Sequence, residues 1–168
     1  MKNQTLFFEK QYLRQFHVIG LLVFVNLFFV VLFVQQIILD HPLSTKVAPD
    51  AVLILFLMGS WLLTYFALTA HLTTTISTQG ISYQFFPFQR QSKLIAWHEI
   101  KTCYIRTYSP LKEYGGWGYG NYPENSAYTV SGVVGIQLVL TTHKFILLGT
   151  NKSVQAQAVI NSIYDVTR

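Results

Sequence analysis

The chain has 168 residues, of which 51% are hydrophobic, 15% aromatic and only 11% charged, against about 25% charged in an ordinary soluble domain. That deficit excludes a disordered chain and points to lipid, because a chain this short leaves about 30% of its unfolded surface uncovered on folding. Twelve Lys and Arg against seven Asp and Glu give a charge of +5, too small and too scattered to suggest a nucleic-acid binder without a basic run, which is absent, and the single Cys103 excludes a disulfide framework or a Cys-rich zinc site.

From Val18 to Val34 all 17 positions are Val, Ile, Leu or Phe except Gly20 and Asn26. Extended to residues 16–38, this segment exceeds the ~20 residues that carry a helix across about 30 Å of hydrocarbon. A second uncharged segment, residues 51–70, follows a connector holding Asp40-His-Pro and Ala48-Pro-Asp50, whose prolines stop a helix. The two form a transmembrane hairpin. It is retained rather than cleaved as a signal peptide, since the first apolar stretch is too long and no small-residue cleavage site follows promptly. Lys2, Lys10 and Arg14 precede the first span, Lys46 alone lies in the connector, and Arg90 and Lys93 follow the second span. By the positive-inside rule both termini are expected in the cytoplasm.

Residues 71–168 change to threonines, glycines and alternating apolar positions, with eight Lys and Arg against four acids. Period-two alternation predicts seven short strands, at 72–78, 81–86, 93–97, 101–108, 127–130, 134–141 and 144–149. The two-residue connections Gln79-Gly80 and Thr142-His143 make antiparallel pairing the expectation. After Gly149, Asn151 or Ser153 caps a helix to about Val166, whose Ala156, Val159, Ile160, Ile163 and Val166 form a stripe for packing on a sheet. Residues 109–126 read as one long loop rich in Gly, Tyr and Pro.

About seven antiparallel strands and a C-terminal helix is the element order of the pleckstrin-homology-like (PH-like) fold. Leu94-Ile-Ala-Trp97-His-Glu99-Ile100 resembles the step between the third and fourth strands of bacterial PH-like domains. Tyr108 to Gly118, with its Glu-Tyr-Gly-Gly-Trp-Gly run, then Ala127 to Gly132, Gly135 to Leu138, Leu147 to Thr150 and Phe8-Glu-Lys-Gln-Tyr12, is similar to a family of small uncharacterised bacterial membrane proteins. Those pair two transmembrane helices with one such domain. The resemblance implies residues 1–70 as N-terminus and hairpin, residues 71–168 as a cytoplasmic PH-like domain, and a bacterial inner membrane as the location; it implies no activity. Phosphoinositide-binding PH domains gather cations at the turn joining their first two strands, and here that turn reads Ser77-Thr-Gln-Gly-Ile81, with none.

The Gly115 to Gly120 run lacks the following helix that a phosphate-binding loop requires. Its functional reading is a recognition loop of Tyr114, Trp117, Tyr119 and Tyr122 with Lys112 and Arg106 beside it, suited to a protein or to anionic lipid headgroups; the bland alternative is a cap on the sandwich. Cys103 shares a strand face with Ile105 and reads as a buried structural thiol. The five histidines show no metal-ligand spacing, and no cofactor is expected. Asn26 needs a partner inside the membrane, for which Ser60, Thr64 or Trp61 is suited, while Gly59 and Ser60 permit close helix approach within the hairpin or between copies of the chain. These features favour a non-enzymatic membrane-anchored adaptor that binds a protein partner or the membrane surface. A subunit of a membrane complex acting through its hairpin is the alternative, and an enzyme of unknown reaction is the third, disfavoured reading.

Overall fold

The computed structural model describes residues 4–13, 15–41, 49–121 and 124–166. They form two compact units, one of residues 15–69 and one of residues 4–13 together with 70–166. Most of the connector after the first span, and Tyr122 of the aromatic loop, lie outside the described residues.

The first unit is helical. Helix α1 (Phe16–Phe33) continues through a π-helical turn, Val34–Ile38, and α2 spans Asp50–Thr69. At 23 and 20 residues, these two helices are long and apolar enough to cross a membrane. The buried positions of α2 are Leu53, Leu57 and Ser60, spaced as one face of a helix. Phe56 stacks on Phe29 of α1 with centroids 5.8 Å apart.

The second unit is an α+β sandwich. One sheet has the order β1-β2-β3-β4, formed by Thr5–Tyr12, His71–Ser77, Gly80–Phe86 and Lys93–Ala96. The other has the order β5-β8-β9-β7-β6, with β5 at Ile100–Thr107, β6 at Gly118–Asn121, β7 at Asn125–Thr129, β8 at Val134–Leu140 and β9 at Phe145–Gly149. Inward side chains of both sheets, among them Leu72, Ile76, Ile81, Phe85, Ile136, Leu138 and Leu148, make one core. Helix α4 (Ser153–Val166) adds Ala156 and Ile160 to it, with Val159 and Ile163 packed alongside. Gly80 bridges β2 and β3 with φ of 157°, and a Cβ there would overlap the Ile95 carbonyl oxygen of β4, so the close strand approach needs glycine.

Nine strands stand among the described residues where seven are expected, and the two additions change the topology. Strand β1 lies before the first span and pairs antiparallel with β2, Tyr12 opposite His71 and Phe8 opposite Thr75. A division at residue 71 therefore separates β1 from the sheet it completes. Its alternation hides because two of its three inward residues, Phe7, Glu9 and Gln11, are polar. The hairpin is thus inserted between the first two strands, and Leu13 N–H donates to the Ala70 carbonyl 3.0 Å away where the chain leaves and returns. The Ser77–Ile81 turn joins the second strand to the third, so its lack of cations says nothing about the connection between the first two. Pairing is also not wholly antiparallel: β7 runs parallel to β9, because the excursion through α4's neighbour strand β8 returns the chain beside β7 in the same direction.

Candidate functional site

The stretch expected as a loop is built largely from regular elements. Ser109 precedes a one-turn helix, α3 (Pro110–Tyr114), with proline at its first turn and Gly115 as a left-handed C-cap at φ 72°. Glu113 reaches back to accept the Ser109 N–H at 2.7 Å, and the N–H groups of Gly115 and Gly116 bond the carbonyls of Leu111 and Pro110. The Gly118 N–H goes to Thr129 Oγ1. These glycine amides are engaged within the chain and are not a cradle for phosphate.

Arg106 of β5 stands at the centre of this region. Its guanidinium pairs with Glu113 at 2.8 Å, donates through Nε to Gln137 Oε1 at 2.8 Å, and donates to the Tyr114 hydroxyl at 3.0 Å. That hydroxyl donates to Asn125 Oδ1 at 3.3 Å. The carboxyl of Glu113 is held below its ordinary pKa, first by the Ser109 N–H and, against an opposing desolvation, further by Arg106. Tyr114 also packs on Tyr108, Ala127 and Leu147, a small apolar cluster on the outer face of the five-stranded sheet. This network straps α3 across that face.

The remaining loop residues point elsewhere. Lys112 is exposed. Trp117 is half-buried and donates its indole N–H to the Gly132 carbonyl at 2.8 Å. Tyr119 lies on the opposite face of the sheet from Tyr114, in T-shaped contact with the core residue Tyr128 and stacked on Phe88 at 5.5 Å. A shallow pocket of about 120 Å3 lies between Tyr114 and Gly120 on one side and Ala127 and Thr129 on the other. Arg106 and Tyr114 are brought together by their hydrogen bond, Tyr114, Trp117 and Tyr119 share the lining of the pocket, and Arg106 and Lys112 are not part of that lining. The missed signal was Ser-Pro followed by Glu four residues after the serine and then Gly-Gly, the start and stop marks of a short helix.

Within the hairpin, Asn26 Nδ2 donates to the Leu22 carbonyl and to Thr64 Oγ1, each at 2.7 Å, and Ser60 Oγ lies 3.2 Å from Asn26 Oδ1. Thr64 in turn donates to the Ser60 carbonyl. The amide is thereby saturated across the two helices. Gly59 is different: it is exposed, and a Cβ built on it meets nothing within 4 Å, so it takes no part in close approach inside the hairpin.

Cys103 sits against the core, and burial pushes its thiol up to about 12, leaving almost no thiolate for nucleophilic chemistry at neutral pH. Among the described residues no group of three His, Cys, Asp or Glu side chains is placed to hold a metal. Trp97 and Glu99 of the Leu94–Ile100 motif have structural partners: the indole N–H donates to the Ser77 carbonyl at 3.0 Å, and Glu99 accepts the Ala96 N–H at 2.9 Å. Searches against family models, curated proteins and solved structures return no match.

Proposed function

We propose that the chain is a non-enzymatic interaction module held in a bacterial inner membrane by its helical hairpin, with a PH-like sandwich in the cytoplasm. The observation that carries this reading is the insertion of the apolar hairpin between two paired strands. A domain that holds both ends of its anchor in adjacent strands has two short connections to it, which suits a module that holds a partner at the bilayer. Two packed sheets and a C-terminal helix support the PH-like assignment. The engagement of Arg106, Glu113 and Tyr114 with one another and the apolar setting of Cys103 support reading these residues as structural rather than catalytic.

The saturated Asn26 amide favours this reading over a complex subunit acting through its hairpin, because that polar group is satisfied without a further span. The test is affinity capture from native membranes with two baits, the full chain and a form in which a short linker replaces residues 14–69. A partner recovered by both baits supports the module; recovery by the full chain alone overturns it in favour of the hairpin.

A further inference from the structure

The end of the four-stranded sheet from which the hairpin departs carries a surface that the Arg106 network does not use. Tyr12, His71 and Phe86 lie side by side in the last register row of β1, β2 and β3. Their rings form a file, with centroid spacings of 5.4 and 5.3 Å. The β3–β4 turn begins directly after Phe86. It is pinned from both sides: Gln84 Nε2 donates to the carbonyls of Gln89 and Arg90, while the Phe85 N–H donates to Gln89 Oε1 at 3.1 Å.

What this turn displays is unusual for a surface connection. Phe88 is 68% exposed, yet its ring is held in place by stacking on Tyr119, itself 37% exposed. Beside it Gln89, Arg90, Gln91, Ser92 and Lys93 line an open concavity of about 450 Å3. Two cations and no acid line it, and among the described residues neither cation forms an ion pair. A rigid apolar ring next to two free cations matches the bilayer boundary, where apolar carbon meets phosphate.

Chain connectivity selects the occupant. Only Ala70 separates the end of α2 from His71, and Tyr12 is four residues from the start of α1. The turn therefore belongs to the sheet end tied most closely to both spans, and the bilayer is the partner within its reach. We propose that the β3–β4 turn is a lipid contact in which Arg90 and Lys93 take the phosphate of an anionic phospholipid while Phe88 enters the interface beside it. This rests on the membrane-anchored reading above. It assigns the domain's lipid contact to Phe88, Arg90 and Lys93 rather than to the Tyr114–Tyr122 stretch.

The test uses the full chain, with Cys103→Ala, reconstituted in phosphatidylcholine vesicles with and without phosphatidylglycerol. An environment-sensitive label is placed singly at Gln91→Cys in the turn, at Gln79→Cys on the opposite end of the same sheet, or at Phe24→Cys in α1. Nitroxide lipids then quench it from the headgroup or the acyl chain. The expected result is acyl-chain quenching at residue 24, headgroup quenching at residue 91 that grows with phosphatidylglycerol, and little at residue 79. Arg90→Gln with Lys93→Gln should reduce the dependence on anionic lipid by roughly tenfold or more, and Phe88→Ser should lower quenching at residue 91 even without it. Quenching at residue 24 with none at residue 91 above that at residue 79 would overturn the lipid contact alone. Absence of quenching at residue 24 would overturn the membrane-anchored reading, and the contact with it.

Discussion

Glu9 shows how one polar side chain ties the N-terminal strand to the end of the chain. It is only 4% exposed, and its carboxylate accepts the Thr150 hydroxyl at 2.6 Å and the Asn151 N–H at 2.9 Å. Thr150 Oγ1 then accepts the Lys152 N–H, so the entry to α4 is set by Glu9 and Thr150. A carboxylate just before a helix also faces the positive end of its dipole. Asn151 instead donates its side-chain amide to Ser131. Glu9→Ala leaves the Thr150 hydroxyl and the Asn151 N–H without their acceptor and should cost roughly 3 kcal/mol, read as thermal unfolding in detergent, while Glu9→Gln, keeping one oxygen, should cost about half as much. Equal stability of all three proteins would refute this role. Glu113 gives a pH signature. Because its folded pKa lies below the ordinary 4.5, its contribution to holding α3 is complete above that value and is lost as the pH falls through the lower folded one. Protection of the Ser109 amide from hydrogen exchange, corrected for the intrinsic rate, should fall over that acid range, and Glu113→Gln should remove the pH dependence.

Among the elements, β1 decides which part of the chain folds alone. Removing everything before His71 strips the pairing edge of β2 and takes Phe7 from the core along with Glu9. Because Leu13 and Ala70 are hydrogen-bonded neighbours, a linker of about four residues suffices to join them in place of the hairpin. The linked protein, residues 4–13 and 70–168, should unfold cooperatively with a β-rich circular dichroism spectrum, and the fragment starting at His71 should not; matching melting curves would disprove the role of β1. The same strand marks where sequence reading stops. The two apolar helices were legible as continuous apolar runs, β9 as a short apolar run, and β2, β3, β8 and α4 as apolar residues recurring at the spacing of a strand or a helix. Strand β1 was not, since its Glu9 and Gln11 point inward and find partners only in distant parts of the chain, at Thr150, Asn151 and Gly149. Strand β6 was hidden as well, as its Gly-Tyr-Gly-Asn has one ring and two glycines and gains its place by pairing with β7 and by packing Tyr119 against Phe85 and Phe88. The candidate loop showed its residue types but not its faces: which of Tyr114 and Tyr119 looks outward depends on that pairing.

At the scale of the whole molecule, pairing of β1 with β2 constrains topology independently of charge counting. The two strands flank the hairpin in sequence and share one sheet, so if both helices span, the segments before and after them lie on one side of the membrane. An even number of crossings satisfies that requirement, and a single crossing by either helix does not. On the proposed reading, the bias of Lys2, Lys10 and Arg14 against Lys46 makes that side the cytoplasm. On a Cys103→Ala background, a cysteine introduced at Ser44 in the connector should react with an impermeant thiol reagent in intact cells. One at Gln79, in the exposed turn between β2 and β3, should react only after the cells are opened. The reverse pattern would place the sandwich outside and overturn the orientation while leaving the two-span hairpin intact. Reaction at both positions in intact cells would contradict the hairpin itself, because a sheet built from both flanks cannot share a compartment with the connector between its two spans.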